Sequence, residues 1–174
     1  MRLKFNKLFV LSAVLMMCVT PTLAQKTPKQ IGEFDDWSAY VFTEGADNKV
    51  CYMVSHPKSE EGDYSQRGDV FALITHRPAE NSRNVFSYIA GYSYKPESEV
   101  TVSIGSQNFT LFTEGESAWT PDQATDNNLT DAIRRGNSVV VKGVSSRGTR
   151  TTDTFGLKGS SAAYKAISEA CGIK

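Results

Sequence analysis

The amino-acid sequence predicts an all-β protein, an antiparallel sandwich or barrel that also carries two short helices. From Phe34 onward, short segments rich in aromatic and β-branched residues alternate with turns of Gly, Pro, Asn and Asp. This texture is typical of strands that are joined by turns. Hydrophobic residues also alternate with polar ones inside several of the segments. Only two segments show helical spacing instead, and both are short.

Eight strands are predicted in this part of the chain. In the clearest of them, Val100, Val102 and Ile104 share one face while Thr101 and Ser103 share the other, as the two-residue period of a strand requires. Turns at intervals of roughly 8–12 residues favour an antiparallel arrangement. The predicted strands cover residues 37–43, 50–55, 70–76, 84–94, 100–104, 108–112, 138–144 and 151–157.

The two helical segments are predicted at residues 126–135 and 161–171, and each is followed by a glycine that can end it. In the second segment Ala163, Ile167 and Cys171 fall on one stripe of the helix. We therefore expect this helix to lie against the sheet with Cys171 on its buried face. A polar stretch between the strands, residues 57–69, is predicted as a loop.

The first 24 residues have the features of a cleavable secretory signal peptide. Three basic residues lie within the first seven positions, an almost wholly apolar run covers Leu8–Val19, and small residues lead to Ala24. This order predicts cleavage after Ala24. A membrane anchor is the alternative, but the apolar run is shorter than the roughly 20 residues of a spanning helix. Cleavage at Cys18 with lipidation is disfavoured because Met17 before it is not small.

Cleavage would leave a loose polar leader over residues 25–33 and a single domain over residues 34–174. The signal holds three of the 19 basic residues and none of the 19 acidic ones, so the mature chain is mildly acidic. An acidic chain without a basic run lacks the features of a nucleic-acid-binding protein. No other apolar stretch is long enough to span a membrane. We therefore expect neither nucleic-acid binding nor a transmembrane segment.

Export also bears on the cysteines. Of the three in the chain, Cys18 would leave with the signal, and Cys51 and Cys171 would remain. In an oxidising compartment two remaining thiols tend to pair, so we predict a disulfide between Cys51 and Cys171. The alternatives are a reactive free thiol and a metal site, although zinc ligands usually come in short-spaced pairs and these two cysteines do not.

Short motifs along the mature chain follow an order and spacing that resemble a known family. They are Asp36-Trp37, Lys49-Val50-Cys51-Tyr52, Thr75-His76-Arg77-Pro78, Gly91-Tyr92, the run Lys142–Thr149, the run Thr152–Gly159 and Cys171-Gly172. On these residues the chain resembles the invasion-associated locus B family of alphaproteobacterial envelope proteins. The resemblance implies an immunoglobulin-like β-sandwich that is exported to the periplasm, with outer-membrane association in some members. Many members carry a further cysteine shortly after the Asp-Trp pair, and this chain has Ser38–Val41 there.

The sequence offers few residues for catalysis or metal binding. His56 and His76 are the only histidines, and each is a candidate general base. No Gly-x-Ser-x-Gly motif accompanies them, and both flank strand ends, where a solvated or capping histidine is the simpler interpretation. Asp122, Asp126 and Asn127 lack the glycine and glutamate of a calcium loop. We therefore predict no catalytic site, no metal and no cofactor.

Two groups of residues are candidates for contact with a partner. Tyr92 and Tyr94 lie beside Gly91 at the end of a predicted aromatic strand and could be partly exposed, with core packing as the alternative. Arg134 and Arg135 end the first helix and could form a small basic patch with two arginines of the last hairpin. Solvated surface charge is the alternative for these arginines.

Taken together, these features predict a non-enzymatic binding or accessory protein of the periplasm or envelope. Its partner would be an envelope protein, glycan or lipid that the sequence does not identify. A secreted hydrolase that uses His56 or His76 is one alternative. A surface-exposed factor for interaction with a host is another.

Overall fold

A computed structural model describes residues 27–45 and 47–173, so the predicted signal peptide lies outside the described residues. The described chain forms eleven β-strands and two α-helices. The strands are β1 (Lys29–Phe34), β2 (Trp37–Glu44), β3 (Asn48–Ser55), β4 (Ser59–Gly62), β5 (Phe71–Arg77), β6 (Ser82–Ile89), β7 (Glu99–Ile104), β8 (Gln107–Glu114), β9 (Ser117–Trp119), β10 (Ser138–Val144) and β11 (Arg150–Gly156). The helices are α1 (Gln123–Arg135) and α2 (Ser160–Cys171). Neither helix, and no other in the described ranges, has the length and apolarity to cross a membrane.

The strands form one antiparallel sheet in the order β1-β2-β3-β5-β6-β9-β8-β7-β10-β11-β4. Six pairs of strands that follow one another in sequence are neighbours in the sheet: β1–β2, β2–β3, β5–β6, β7–β8, β8–β9 and β10–β11. In β2–β3, β7–β8 and β10–β11 both strands were predicted, and a short turn that contains polar residues and glycine joins them.

The sheet folds over on itself, so that its two halves enclose one core. Tyr88 on β6 meets Phe155 on β11 with ring centroids 6.2 Å apart, although four strands separate β6 from β11 in the sheet. The Trp37 indole N–H on β2 donates a hydrogen bond of 3.1 Å to the carbonyl of Gly156 on β11. Buried residues from both halves belong to a single hydrophobic cluster. The predicted all-β, sandwich-like fold with a C-terminal helix is thereby confirmed.

Both predicted helices are present. α1 begins earlier than predicted because the Asp122 carboxylate caps its first turn, accepting a 2.7 Å hydrogen bond from the Thr125 N–H. α2 buries Ala163 and Ile167 and packs on β2 and β3. The stripe of small and apolar residues on this helix is therefore the face that meets the sheet, as its spacing predicts.

The predicted disulfide is present in the structure. Cys51 in β3 is bonded to Cys171 in the last turn of α2, across a sequence separation of 120 residues. Cys51 is fully buried and Cys171 is nearly so. The bond attaches the end of the terminal helix to an interior strand of the sheet. A chain end without such an attachment would tend to fray.

Three strands were not predicted from the sequence. The loose leader expected over residues 25–33 is wrong for Lys29 to Glu33, which pair with β2 as part of β1. The loop expected over residues 57–69 contains β4, which pairs with β11. Both strands lie at sheet edges, where side chains stay largely exposed and need not alternate. The third, β9, has only three residues and carries too little pattern to detect.

Candidate functional site

A buried ion pair joins two segments that lie far apart in sequence. The Arg67 guanidinium, in the segment after β4, meets the Asp153 carboxylate on β11 through two hydrogen bonds of 2.7 Å. The Arg67 side chain is 3% exposed and the Asp153 side chain is not exposed at all. Asp153 lies between the inward-facing Thr151 and Phe155, so the strand period places a carboxylate inside the fold. A charge at that position requires a partner of opposite charge.

The rest of the Arg67 guanidinium is also engaged. Its Nε–H donates to the carbonyl of Ala90 at 2.7 Å, and an Nη2–H donates to the Tyr88 hydroxyl at 3.0 Å. The Tyr88 hydroxyl donates in turn to the Asp153 carboxylate. The carboxylate of Glu60 lies 3.6 Å from Nη1. The guanidinium therefore holds several segments in place and has little capacity left for a ligand.

Burial and charge act together on the ionisation of this network. Burial acts to lower the pKa of Arg67, but its hydrogen bond to Asp153 and the surrounding negative charge outweigh burial, and the pKa is raised. Burial, followed by the charge of Asp153, raises the pKa of Tyr88. Tyr88 therefore stays protonated and remains a donor to the carboxylate. Arg67 likewise keeps its charge.

An open cleft of about 930 Å³ lies over this ion pair, and we call it the Arg67 cleft. Three segments form it: residues 63–68, 91–93 and 145–151. Its volume lies within the roughly 300–1,000 Å³ of small-molecule sites. The lining is predominantly polar and consists of Asp63, Tyr64, Ser65, Gln66, Arg67, Gly68, Gly91, Tyr92, Ser93, Ser145, Ser146, Arg147, Thr149 and Thr151.

Two tyrosine rings flank the guanidinium in the cleft. The Arg67 Cζ lies 5.4 Å from the ring centroid of Tyr64 and 5.1 Å from that of Tyr92, within the range of cation–π attraction. The Tyr92 hydroxyl also shares a hydrogen bond of 2.6 Å with the Thr151 hydroxyl on β11. Both rings are partly exposed, so the ion pair beneath them fixes two aromatic surfaces at the cleft.

A glycine contact allows two of the cleft segments to meet. The Gly68 N–H donates a 2.9 Å hydrogen bond to the carbonyl of Gly91. Gly91 has a φ of +68°, and a Cβ there would lie 2.3 Å from the Gly68 carbonyl oxygen. Only glycine fits such a conformation and such a close approach. The predicted Gly91-Tyr92 motif therefore marks a real constraint of the cleft.

The structure separates the four residues predicted as a contact surface. Tyr92 lines the Arg67 cleft. Tyr94 is only 6% exposed and packs in the core with its ring against Tyr92, which is the alternative considered for it. Its hydroxyl is buried without a hydrogen-bond partner among the described residues, and burial raises its pKa. Arg134 and Arg135 lie at the end of α1, away from the cleft lining, and both pair with Asp131.

The predicted strand over residues 84–94 also ends earlier than expected. β6 stops at Ile89, and residues 91–93 instead form one side of the cleft. Tyr94 returns to the sheet through a single bridge with Ser145. The break at Gly91 thus turns an extended aromatic strand into a strand followed by a cleft segment.

His76 is a structural residue in this fold. It is fully buried. Its Nδ1 accepts a 3.0 Å hydrogen bond from the backbone N–H of Asn84, and its Nε2 lies 3.3 Å from the Ser168 hydroxyl on α2. Because Nδ1 is an acceptor, the proton of the neutral ring is on Nε2 and points to Ser168. His76 therefore cannot take a proton from that serine.

His56 is placed differently. It is exposed, and its ring lies against Phe71 with centroids 4.8 Å apart. Neither histidine lines the Arg67 cleft. Over residues 27–45 and 47–173, no group of three or more His, Cys, Asp or Glu residues is arranged to hold a metal ion. The hydrolase alternative thus has no histidine at the cleft to support it.

The burial of His76 predicts a specific loss of stability in acid. Burial, with a smaller contribution from the charge of Arg83, lowers the pKa of His76 to about 4, against roughly 6.5 in an unfolded chain. Between these two pKa values the imidazole of His76 is protonated in the unfolded state and neutral in the folded state. The stabilisation is therefore complete above pH 6.5 and is lost as the pH falls towards 4. Over this pH range the shifted pKa of His76 lowers the free energy of unfolding by about 3 kcal/mol in total.

Urea unfolding at pH 7, 5.5 and 4.5 measures this effect. His76→Gln should be less stable than wild type at pH 7 and should lose less stability on acidification, because no imidazole remains to be protonated. His56→Gln is the matched control, since it removes the exposed histidine, and it should keep the wild-type dependence. If His76→Gln loses as much stability on acidification as the wild-type protein does, His76 is not the source of the acid sensitivity.

Comparison with known proteins identifies the family. The sequence model of the invasion associated locus B protein family matches residues 37–168. The chain belongs to the invasion associated locus B family. The match to this family includes Cys51, Arg67 and Asp153, together with all three segments of the cleft, and it ends before Cys171. No curated protein and no solved structure matched the chain.

The ion pair at the centre of this site was not predicted from the sequence. Arg67 lies in a stretch predicted as a polar loop, and Asp153 is one acidic residue among many. One signal was present in the sequence. Asp153 occupies an inward position of a strand whose next inward residue is Phe155. A buried carboxylate requires a basic partner, in this family as in any other protein. Which basic residue supplies it depends on the fold.

Proposed function

We propose that this invasion associated locus B protein is an exported binding module of the cell envelope and that it holds its partner in the Arg67 cleft. The observation that carries the proposal is an open polar cleft built on a buried ion pair. Arg67 and Asp153 engage each other and the surrounding backbone, so they position the three cleft segments without contacting a ligand themselves. Sites held on such a rigid base lose little entropy when they bind.

A binding role without chemistry is favoured by the composition of the cleft. Its described lining contains neither histidine nor cysteine, and the one basic group buried beneath it is already paired. The side chains that remain are hydroxyls, an amide, two tyrosines, one acidic group (Asp63) and one basic group (Arg147). Such groups orient a ligand through hydrogen bonds and contact area.

Export to the periplasm is the second part of the proposal. It is supported by the order of basic, apolar and small residues over positions 1–24. It is also supported by the Cys51–Cys171 disulfide, because such bonds persist in oxidising compartments. Mass spectrometry of protein released from the periplasm should give the mass of residues 25–174 less two hydrogens, which are lost when the disulfide forms. Unprocessed protein found only in the cytoplasm would contradict this part.

Nuclear magnetic resonance of the ¹⁵N-labelled mature protein tests the binding role. Fractionated envelope material, separated into glycans, peptides and lipid vesicles, is added, and the amide shifts are followed. At least one fraction should shift the amides of Gly68 and Gly91. Ser146→Trp should abolish the shifts because Ser146 is an exposed residue of the cleft. Ser106→Trp, in the exposed β7–β8 turn, is the matched control and should respond like wild type.

The proposal fails on either of two outcomes. In the first, no fraction moves the cleft amides. In the second, a fraction binds, but Ser146→Trp binds it as well as Ser106→Trp does, which would place the contact elsewhere on the surface.

A further inference from the structure

We infer that the ligand of the Arg67 cleft is a neutral oligosaccharide. This inference rests on the proposed binding function and names the chemistry of the ligand. It is drawn from the charge, the hydroxyl content, the aromatic surfaces and the size of the cleft.

The charges at the cleft offset one another. Asp153 lies at hydrogen-bond distance from the Arg67 guanidinium, and the partly exposed Glu60 carboxylate lies 3.6 Å from the same Nη1 atom. On the remaining lining, Asp63 and Arg147 carry opposite charges. Neither sign of charge is in excess on this lining, so a charged ligand would give up its hydration without meeting a surplus of opposite charge, which is unfavourable. The cleft therefore favours a neutral ligand over an anion or a cation.

The polar lining suits a ligand with many hydroxyl groups. Ser65, Ser93 and Ser146 are exposed at the cleft, and Gln66 is exposed beside them. A serine hydroxyl both donates and accepts hydrogen bonds, and an amide side chain offers one group of each kind. A sugar hydroxyl has the same double capacity. Its hydrogen bonds can therefore be satisfied here without a formal charge on either side.

The two tyrosines provide the second element of sugar recognition. The rings of Tyr64 and Tyr92 are partly exposed and are held by the same guanidinium. One side of a sugar ring presents C–H groups, which pack on an aromatic surface and leave the hydroxyls free for polar partners. A tyrosine combines an apolar body with a polar tip and serves both requirements.

The size of the cleft indicates more than one sugar unit. At about 930 Å³ it is near the upper limit of the usual range for small-molecule sites. The cleft is also open to solvent and is lined by three separate segments of the chain. A chain of a few linked rings fits these features better than a single compact metabolite, which prefers an enclosed and more apolar pocket.

Matched trisaccharides test the inference by titration, with the amide shifts of Gly68 and Gly91 as the readout. Tri-N-acetylchitotriose is neutral, its deacetylated form is cationic, and trigalacturonate is anionic. At least one neutral trimer from a set that also includes maltotriose and cellotriose should bind. It should bind about tenfold more tightly than either charged trimer, since the charged ligands lose hydration without meeting an excess of opposite charge in the cleft.

Variants of Tyr64 locate the contact. Tyr64→Ala should weaken binding of the neutral trimer about three- to tenfold, because the aromatic contact is lost. Tyr64→Phe keeps the ring and should stay within about twofold of wild type, which also shows that the segment folds. Tyr40→Ala is the matched control, because Tyr40 lies on β2 outside the cleft and stacks on Tyr52; its affinity should not change.

The outcomes separate this inference from the binding function on which it rests. If a charged trimer binds as tightly as any neutral one, the inference is overturned. If a peptide or lipid fraction moves the cleft amides and no trisaccharide does, the inference is overturned and the binding function stands. If nothing moves the cleft amides, both are overturned.

Discussion

Replacing Asp153 with asparagine is expected to destabilise the protein by about 3–5 kcal/mol, since the change leaves the Arg67 guanidinium buried without its counter-charge. Arg67 is 3% exposed and pairs with Asp153 through two hydrogen bonds of 2.7 Å. A loss of this size is a large part of the total stability of a domain, which is roughly 5–15 kcal/mol. Urea unfolding at pH 7 measures it directly.

A substitution at an exposed ion pair is the control for the effect of burial. Asp131 contacts Arg134 and Arg135 on the exposed end of α1. Asp131→Asn should therefore cost no more than about 1 kcal/mol. If Asp153→Asn costs as little as Asp131→Asn, the ion pair does not have the structural role assigned to it.

A double substitution extends the same test to both partners. Arg67→Met with Asp153→Leu removes both charges together and replaces them with apolar side chains. It should recover much of the stability lost in Asp153→Asn, because no unpaired charge remains buried. The double substitution also removes the hydrogen bond from Arg67 to the Ala90 carbonyl, so recovery should be incomplete.

Removing the disulfide is the second change with a large expected effect. Cys51→Ala with Cys171→Ala opens a loop of 120 residues and should lower the free energy of unfolding by about 4–5 kcal/mol in the chain-entropy treatment. The same loss should follow reduction of the wild-type protein. Denaturant unfolding of the oxidised, reduced and doubly substituted forms provides the comparison.

The location of the effect is as informative as its size. Amide hydrogen exchange should increase first in α2, whose end the bond attaches to β3. The β7–β8 hairpin lies away from the bond and is the internal reference. Equal stability of oxidised and reduced protein, or loosening that starts in the β7–β8 hairpin, would contradict the role of the bond.

The features predicted correctly from sequence are those with local causes. β7 follows from the alternation of Val100, Val102 and Ile104, and all three of these residues are buried. α2 follows from the spacing of Ala163 and Ile167 on one stripe. In each case the apolar side chains that make the pattern are the ones that the fold buries. The spacing of apolar residues along the chain therefore shows which face of the element is buried.

The missed features have causes that lie far along the chain. β1 and β4 are strands because β2 and β11 offer them backbone hydrogen bonds. Their own residues are largely exposed and carry no alternation. β6 ends at Ile89 although aromatic residues continue beyond it. The chain departs there because Gly91 packs against Gly68.

The sequence by itself indicated eight of the eleven strands, both helices, the pairing of two cysteines and the membership of the family, because each of these depends on residue types and spacing along the chain. The tertiary structure alone decided the Arg67 cleft. Arg67 and Asp153 are 86 positions apart, and they meet because β4, which precedes Arg67, pairs with β11 and because Gly68 packs against Gly91. A buried charge must find a partner, but the partner is chosen by the fold.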